Sequence, residues 1–147
     1  MILHFYHCPI CGNIIVKVHD GGPTPVCCGS EMRPLVPKRE EEYKEKHLPV
    51  VKRCDHYTFE VEVGSVPHPM TDEHHIEFIC VQTENETIVR HLSPGDDPVS
   101  LFVCDSAPQA VYAFCNRHGL WMTETIEDIG YVSALLTAFF TKKKCKR

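Results

Sequence analysis

Four cysteines constrain the first quarter of this chain more tightly than any other feature. Cys8 and Cys11 stand with two residues between them, and Cys27 and Cys28 return after 15 intervening residues. The surrounding stretch, residues 1–36, is dense in Cys, Gly and Pro, with Cys8-Pro9-Ile10-Cys11, Asp20-Gly21-Gly22-Pro23 and Cys27-Cys28-Gly29. It is too short to bury a core of its own, so a metal must supply the fold. Four thiolates make a tetrahedral all-sulfur site, which suits zinc or a single iron. The adjacent Cys27-Cys28 pair departs from a zinc ribbon, where both halves are Cys-x-x-Cys. Neighbouring side chains on a strand point to opposite faces, so the spacing predicts a kinked backbone at this pair. A zinc knuckle that only staples the fold satisfies the same spacing.

Nine cysteines in 147 residues is an odd number in a chain longer than most disulfide scaffolds. Such usage points to a reducing compartment, with cysteines serving as ligands or as small buried hydrophobes. The segment Met1-Ile2-Leu3-His4-Phe5-Tyr6 has neither a basic region nor a long apolar run, so no signal peptide is expected. No stretch offers the roughly 20 apolar residues of a membrane span. A net charge of −5 argues against general nucleic-acid binding, which needs clustered basic charge. The expectation is a soluble cytoplasmic protein with neither nucleic acid nor membrane as partner.

After residue 37 the composition changes. Lys38-Arg39-Glu40-Glu41-Glu42-Tyr43-Lys44 has little to bury and reads as a solvated linker over 38–44. From residue 50 short β-type runs follow one another. Tyr57 to Val63 alternates like a half-buried strand, and Ile76–Val81, Thr87–Leu92, Val99–Cys104 and Ala110–Phe114 are further strands separated by turn material. Strands at this spacing predict an antiparallel sandwich. The last 25 residues differ: Ile126, Ile129, Val132, Leu136 and Phe139 recur at helical spacing. Glu124, Glu127 and Asp128 in the first turn and Lys142 to Lys144 at the end suit the helix dipole.

The ten histidines are unevenly placed. Glu45-Lys46-His47-Leu48-Pro49, Val66-Pro67-His68-Pro69-Met70, Glu73-His74-His75-Ile76 and Cys115-Asn116-Arg117-His118-Gly119 all lie at the ends of predicted strands. One such histidine is an ordinary surface residue; four, with a cysteine three residues before the last, suggest a metal centre. Zinc rarely takes five protein ligands, so four nitrogens and a sulfur argue for a transition metal of higher coordination, with one position left open. A thiolate donor would push electron density toward an oxygen species, as in thiolate-ligated haem. The expected metal is iron, and the expected substrate a small oxygen-derived molecule.

To about Met122 these motifs together resemble the desulfoferrodoxin type of superoxide reductase. The resemblance rests on Cys8-Pro9-Ile10-Cys11, Cys27-Cys28, Glu45 to Pro49, Gly64-Ser65-Val66-Pro67-His68-Pro69-Met70, Glu73-His74 and Cys115 to Gly119. It implies a mainly β fold: a desulforedoxin-like domain over 1–37 with iron on Cys8, Cys11, Cys27 and Cys28, where zinc is a possible substitute, and an immunoglobulin-like β-sandwich over 45–122. It also implies that His47, His68, His74, Cys115 and His118 hold the catalytic iron. Lys46 would then draw in superoxide and stabilise its reduced form, and Glu45 would fill the sixth position in the oxidised resting enzyme. A rubredoxin-like donor and a homodimer follow from the same resemblance. His75 stands next to His74, and only one of the two can face the metal from an extended segment. Residues 123–147, read as a helical extension, lie beyond the resemblance.

The remaining cysteines are read blandly. Cys54, Cys80 and Cys104 are expected as small core residues, and Cys145, in a Lys-rich tail, as a free mobile thiol. Two other classes fit parts of the pattern: a zinc-stapled interaction protein, and an iron electron-transfer protein without catalysis.

Overall fold

The computed structural model describes residues 2–40, 42–124 and 145. They form two compact units, Met1–Pro37 and Lys38–Arg147.

In the first unit, β1 (His4–His7) is the centre of a three-stranded antiparallel sheet between β2 (Ile14–Lys17) and β5 (Arg33–Leu35). A separate hairpin joins β3 (Val26–Cys27) to β4 (Ser30–Glu31). Its buried apolar side chains are Leu3, Phe5, Cys8 and Met32. Each contributes about 2 kcal/mol, against about 1–2 kcal/mol of backbone entropy for every residue ordered. Burial alone therefore cannot hold this unit.

The second unit opens with a one-turn helix α1 (Lys44–His47) and continues as seven antiparallel strands in two sheets. One sheet has the order β10-β7-β6, from β6 (Pro49–Arg53), β7 (Thr58–Val63) and β10 (Val99–Val103). The other runs β12-β11-β8-β9, from β8 (Ile76–Gln82), β9 (Thr87–His91), β11 (Ala110–Cys115) and β12 (Gly119–Glu124). Phe59, Val61, Val63 and Phe102 from the first sheet share one core with Ile76, Ile79, Val81, Val111, Ala113 and Cys115 from the second. The alternation of β7 places Phe59, Val61 and Val63 inward, but Glu60 is buried too, 3.5 Å from the Lys52 ammonium on β6.

On β8, Ile79 and Val81 alternate into the core, yet the next inward residue is Ile76. The pairing of β8 with β11 shifts between Phe114 and Cys115, where Cys115 faces Ile76 and Phe114 faces Phe78. This bulge falls where β11 delivers Cys115, a common place for one beside a functional site.

Three expectations change. Lys38 is not free linker: its N–H donates to the Leu120 carbonyl at 2.9 Å and its carbonyl accepts from Met122 at 3.0 Å, while Arg39 pairs with Glu124 at 3.0 Å. Glu124 is the last residue of β12, not the first turn of a helix, because the β11–β12 ladder pairs it with Ala110. The rest of the expected C-terminal helix lies outside the described residues. Cys54 is neither core nor free, and Cys145 is not a free thiol: the two form a disulfide with Cα atoms 5.7 Å apart. Cys54 follows the end of β6 and is only half-buried, so its strand register never carries it into the core. Cys80 and Cys104 are buried as expected.

Candidate metal centres

The first cluster gathers Cys8, Cys11, Cys27 and Cys28, their sulfurs all within 4.8 Å of one another. After β1 the chain folds back at once: the Cys8 N–H donates to the Asn13 carbonyl at 2.8 Å and the Gly12 N–H to the Cys8 carbonyl at 3.0 Å. Gly12 turns the corner with φ 81°. On the other side, Cys28 and Gly29 are the two turn residues of the β3–β4 hairpin, with φ 52° and 74°. Positive φ at both positions marks the two-residue turn whose twist suits a hairpin. This is the kink that lets adjacent cysteines face one point, and holding Cys28 there costs about 1–2 kcal/mol.

The sulfur of Cys27 lies 3.6 Å from that of Cys11 and 3.9 Å from that of Cys28. A tetrahedron with metal–sulfur bonds of about 2.3 Å has edges of roughly 3.8 Å, so the donor spacing fits a four-sulfur ion. Cys8 is pulled down to about 7, chiefly by hydrogen bonding from the Cys11 backbone. Cys28 is pushed up to about 12, chiefly through its hydrogen bond with the Cys11 side chain. One thiolate is thus readily formed and the last strongly resisted. Four together require a cation.

The second cluster is assembled from loops at one end of the sandwich. His47 ends α1 just before β6, and His68 follows β7. His74 precedes β8, Cys115 ends β11, and His118 lies in the turn before β12. Antiparallel pairing of β6 with β7, and of β11 with β8 and β12, brings these ends together. Ring centroids of His47 and His68 are 4.8 Å apart, His68 and His74 4.7 Å, His74 and His118 4.9 Å, and His118 and His47 4.8 Å. The diagonal from His47 to His74 is 6.3 Å. Four imidazoles therefore stand at the corners of a near-square.

Donor atoms of His47, His74, Cys115 and His118 lie within 4.8 Å of one another. His68 is outside that set but presents a buried Nε2 with no hydrogen-bond partner among the described residues, as does His74. Three imidazole nitrogens and a thiol around one point are a metal-type donor set, and His68, with its orphaned Nε2, packs its ring against those of His47 and His74 beside it. Burial is the main cause that lowers His47 and His74 from the ordinary imidazole value, and it takes His68 down to about 4. All three are neutral donors at neutral pH.

Each ring is oriented by its other nitrogen or by its backbone. His47 Nδ1 lies 2.9 Å from the Tyr43 carbonyl, and His68 Nδ1 2.6 Å from the Pro69 carbonyl. Such second contacts fix tautomer and ring direction. His74 sits in a turn where its N–H and carbonyl both bond to Thr71, at 3.2 and 2.9 Å. His75 points elsewhere, its Nδ1 3.0 Å from the Thr71 carbonyl. The Cys115 sulfur accepts the His118 N–H at 3.4 Å. Glu45 and Lys46 are exposed on α1, and Glu45 is not among the clustered donors.

Three supporting residues drew no role from the sequence. Gly64, φ 86°, accepts no side chain: an added Cβ would collide with the Val66 carbonyl and lie 2.7 Å from that of Lys46. Its N–H donates to Leu48 at 3.0 Å, binding the His68 loop to the α1 turn. Asn116 donates to the Glu73 carbonyl at 3.1 Å and accepts the His75 N–H at 2.9 Å, so it ties the His74 turn to the Cys115 turn. Trp121 stacks on His47 at 4.6 Å and donates its indole N–H to the His118 carbonyl at 3.2 Å. Gly64 and Asn116 lie inside the recognised motifs. Trp121 is the chain's one tryptophan, and that rarity was its only signal.

The desulfoferrodoxin family profile matches residues 39–124, and that of the desulfoferrodoxin N-terminal domain matches residues 3–35. The chain belongs to the desulfoferrodoxin family. A desulfoferrodoxin homolog of Archaeoglobus fulgidus is 41% identical over 122 residues, covering 83% of this chain and 97% of the relative. The desulfoferrodoxin of Nitratidesulfovibrio vulgaris is 37% identical, covering 81% and 94%. Among solved structures, the superoxide reductase from Treponema pallidum superposes with a TM-score of 0.71 at 29% identity, over 84% of this chain and 98% of that one.

Proposed function

We propose that this desulfoferrodoxin family member is a superoxide reductase, converting superoxide and two protons to hydrogen peroxide with one electron from an external donor. The observation that carries the reading is the near-square of four imidazoles, two of them with orphaned buried nitrogens, beside the Cys115 thiol. His47, His68, His74, Cys115 and His118 would hold iron there, and bound iron would supply the single electron of each turnover. The chain's own residues do the rest. Neutral imidazoles leave the site's positive charge to the metal, and burial of His47, His68 and Cys115 keeps water from their donor atoms. Lys46, exposed beside His47, attracts the anionic substrate. Glu45, also exposed on that turn, is the carboxylate within sequence reach of the open position. Cys8, Cys11, Cys27 and Cys28 would hold a second iron, and zinc satisfies the same spacing.

Several finer features belong to this reading. The strand order places the first, second and fifth strands of the sandwich in one sheet, and the seventh, sixth, third and fourth in the other. That supports an immunoglobulin-like sandwich whose fourth strand has joined the opposite sheet from the constant-type arrangement. We assign 1–37 to the four-cysteine domain and 45–122 to the reductase domain, to which the paired Lys38 and the end of β12 at Glu124 also attach; the rest of 38–44 is the connection and the rest of 123–147 an extension. A rubredoxin-like donor, a homodimer and a cytoplasmic location complete it; among the described residues no helix is long and apolar enough to cross a membrane.

Iron and zinc per chain, measured together with superoxide consumption under a reductant, test the proposal. Two irons and catalytic consumption are expected. A colourless protein carrying only zinc after anaerobic expression in iron-rich medium would sink it.

A further inference from the structure

The disulfide joining Cys54 to Cys145 has no part in either metal cluster, and it bridges a cysteine expected in the core to one expected to be free. We infer that Cys54 and Cys145 are a peroxide-oxidised dithiol that fastens the chain's end to the rim of β6 when hydrogen peroxide accumulates. The oxidant is the product of the reductase reaction, so the physiological side of this inference rests on that reading.

Three observations converge on the pair. First, the two residues are joined with a Cα separation of 5.7 Å, within the usual range for a bridge. Second, Cys145 is flanked in the sequence by Lys142, Lys143 and Lys144 before it and Lys146 and Arg147 after it. A thiol set among basic residues in the sequence is the type that attacks peroxide, so Cys145 is assigned as the attacking partner. Third, the cysteines that must not react are placed otherwise. Cys80 and Cys104 are buried, and burial pushes their thiols up to about 12 and about 11. The five others belong to the two metal clusters. Cys54, half-buried, follows the last residue of β6, where its N–H donates to the Thr58 carbonyl at 2.8 Å and fixes the hairpin end that bears the bridge to Cys145.

The chemistry balances in two steps. The Cys145 thiolate attacks one oxygen of hydrogen peroxide, the O–O bond breaks, a sulfenic acid forms and hydroxide leaves. The Cys54 thiolate then attacks the sulfenic sulfur, the S–S bond forms and a second hydroxide leaves. Two thiols and one hydrogen peroxide give a disulfide and two waters, with two electrons passing from sulfur to peroxide. A dithiol reductant reverses it.

The test uses full-length, metal-loaded protein reduced beforehand and freed of reductant. Adding hydrogen peroxide and then alkylating should yield a peptide linking Cys54 to Cys145, with Cys80 and Cys104 still alkylated. In Cys54→Ser, dimedone should trap Cys145 as its sulfenic acid. Replacing Lys142, Lys143, Lys144 and Lys146 with Gln should slow linkage several-fold. Persistence of both thiols under peroxide, or dimedone labelling of Cys54 in Cys145→Ser as fast as of Cys145 in Cys54→Ser, overturns the inference. Superoxide consumption on the same preparation separates the two readings. Linkage without consumption removes the reductase and leaves the dithiol, whereas consumption without linkage does the reverse.

Discussion

At the scale of single residues, the centre divides into atoms that hold the metal and atoms that aim them. Replacing His118 with Ala or Cys115 with Ser removes a donor, and superoxide consumption should fall by about 100-fold or more; a rate within a factor of a few of the parent's would exclude them as ligands. Lys46→Ile leaves every donor in place, so iron content should hold while the second-order rate with superoxide falls about tenfold and loses its dependence on ionic strength. Stopped-flow measurement at two salt concentrations reads both effects. Trp121→Phe keeps an aromatic face for His47 but loses the N–H that holds the His118 carbonyl. Iron affinity should drop about tenfold, measured by competition with a chelator, with the fold retained. Unchanged affinity would reduce Trp121 to core packing.

Between residue and molecule stand the elements, and there the sequence was legible to different depths. The strands from Thr58 to Cys115 were readable because alternation and turn residues agree. β6 and β12 were not: Pro49 opens the first, and Gly119-Leu120-Trp121-Met122 lacks alternation, being buried from Leu120 onward. The bulge at Ile76–Phe78 is a matter of register with β11, and one strand's sequence does not contain its partner. The ligand-bearing loops were visible as histidines beside Pro or Gly, but the near-square depends on which strands pair. The choice between His74 and His75 was open from spacing alone; the Thr71 turn and the Asn116 side chain determine which ring faces inward. The Cys28-Gly29 turn shows the opposite case, since adjacent cysteines already demanded a kink. Gly29→Val should strain that turn by about 1–2 kcal/mol. Metal bound at the four cysteines should weaken while the histidine centre keeps its spectrum; loss of both centres together would contradict the separation of the two units.

For the molecule as a whole, the neutral histidines set a pH limit. Unfolded, each imidazole has its ordinary value near 6.5; folded, His47 and His74 lie below it and His68 lies at about 4. The folded state therefore binds fewer protons than the unfolded state between these values. The stability this gives is complete above about 6.5 and is lost as pH falls toward 4. Denaturant unfolding of the metal-free protein should show its midpoint decline across that window. A flat midpoint there would mean the rings are solvated. Bound metal should shift the decline to lower pH, because protons must then displace it.

The clustered donors of the histidine centre, His47, His74, Cys115 and His118, are spread from residue 47 to residue 118, at the ends of different elements. No fragment made early in synthesis contains them all. Ferrous iron held loosely beside hydrogen peroxide generates hydroxyl radicals. A chain short of residue 118 lacks part of this donor set, so its hold on the ion is weaker than that of the finished fold.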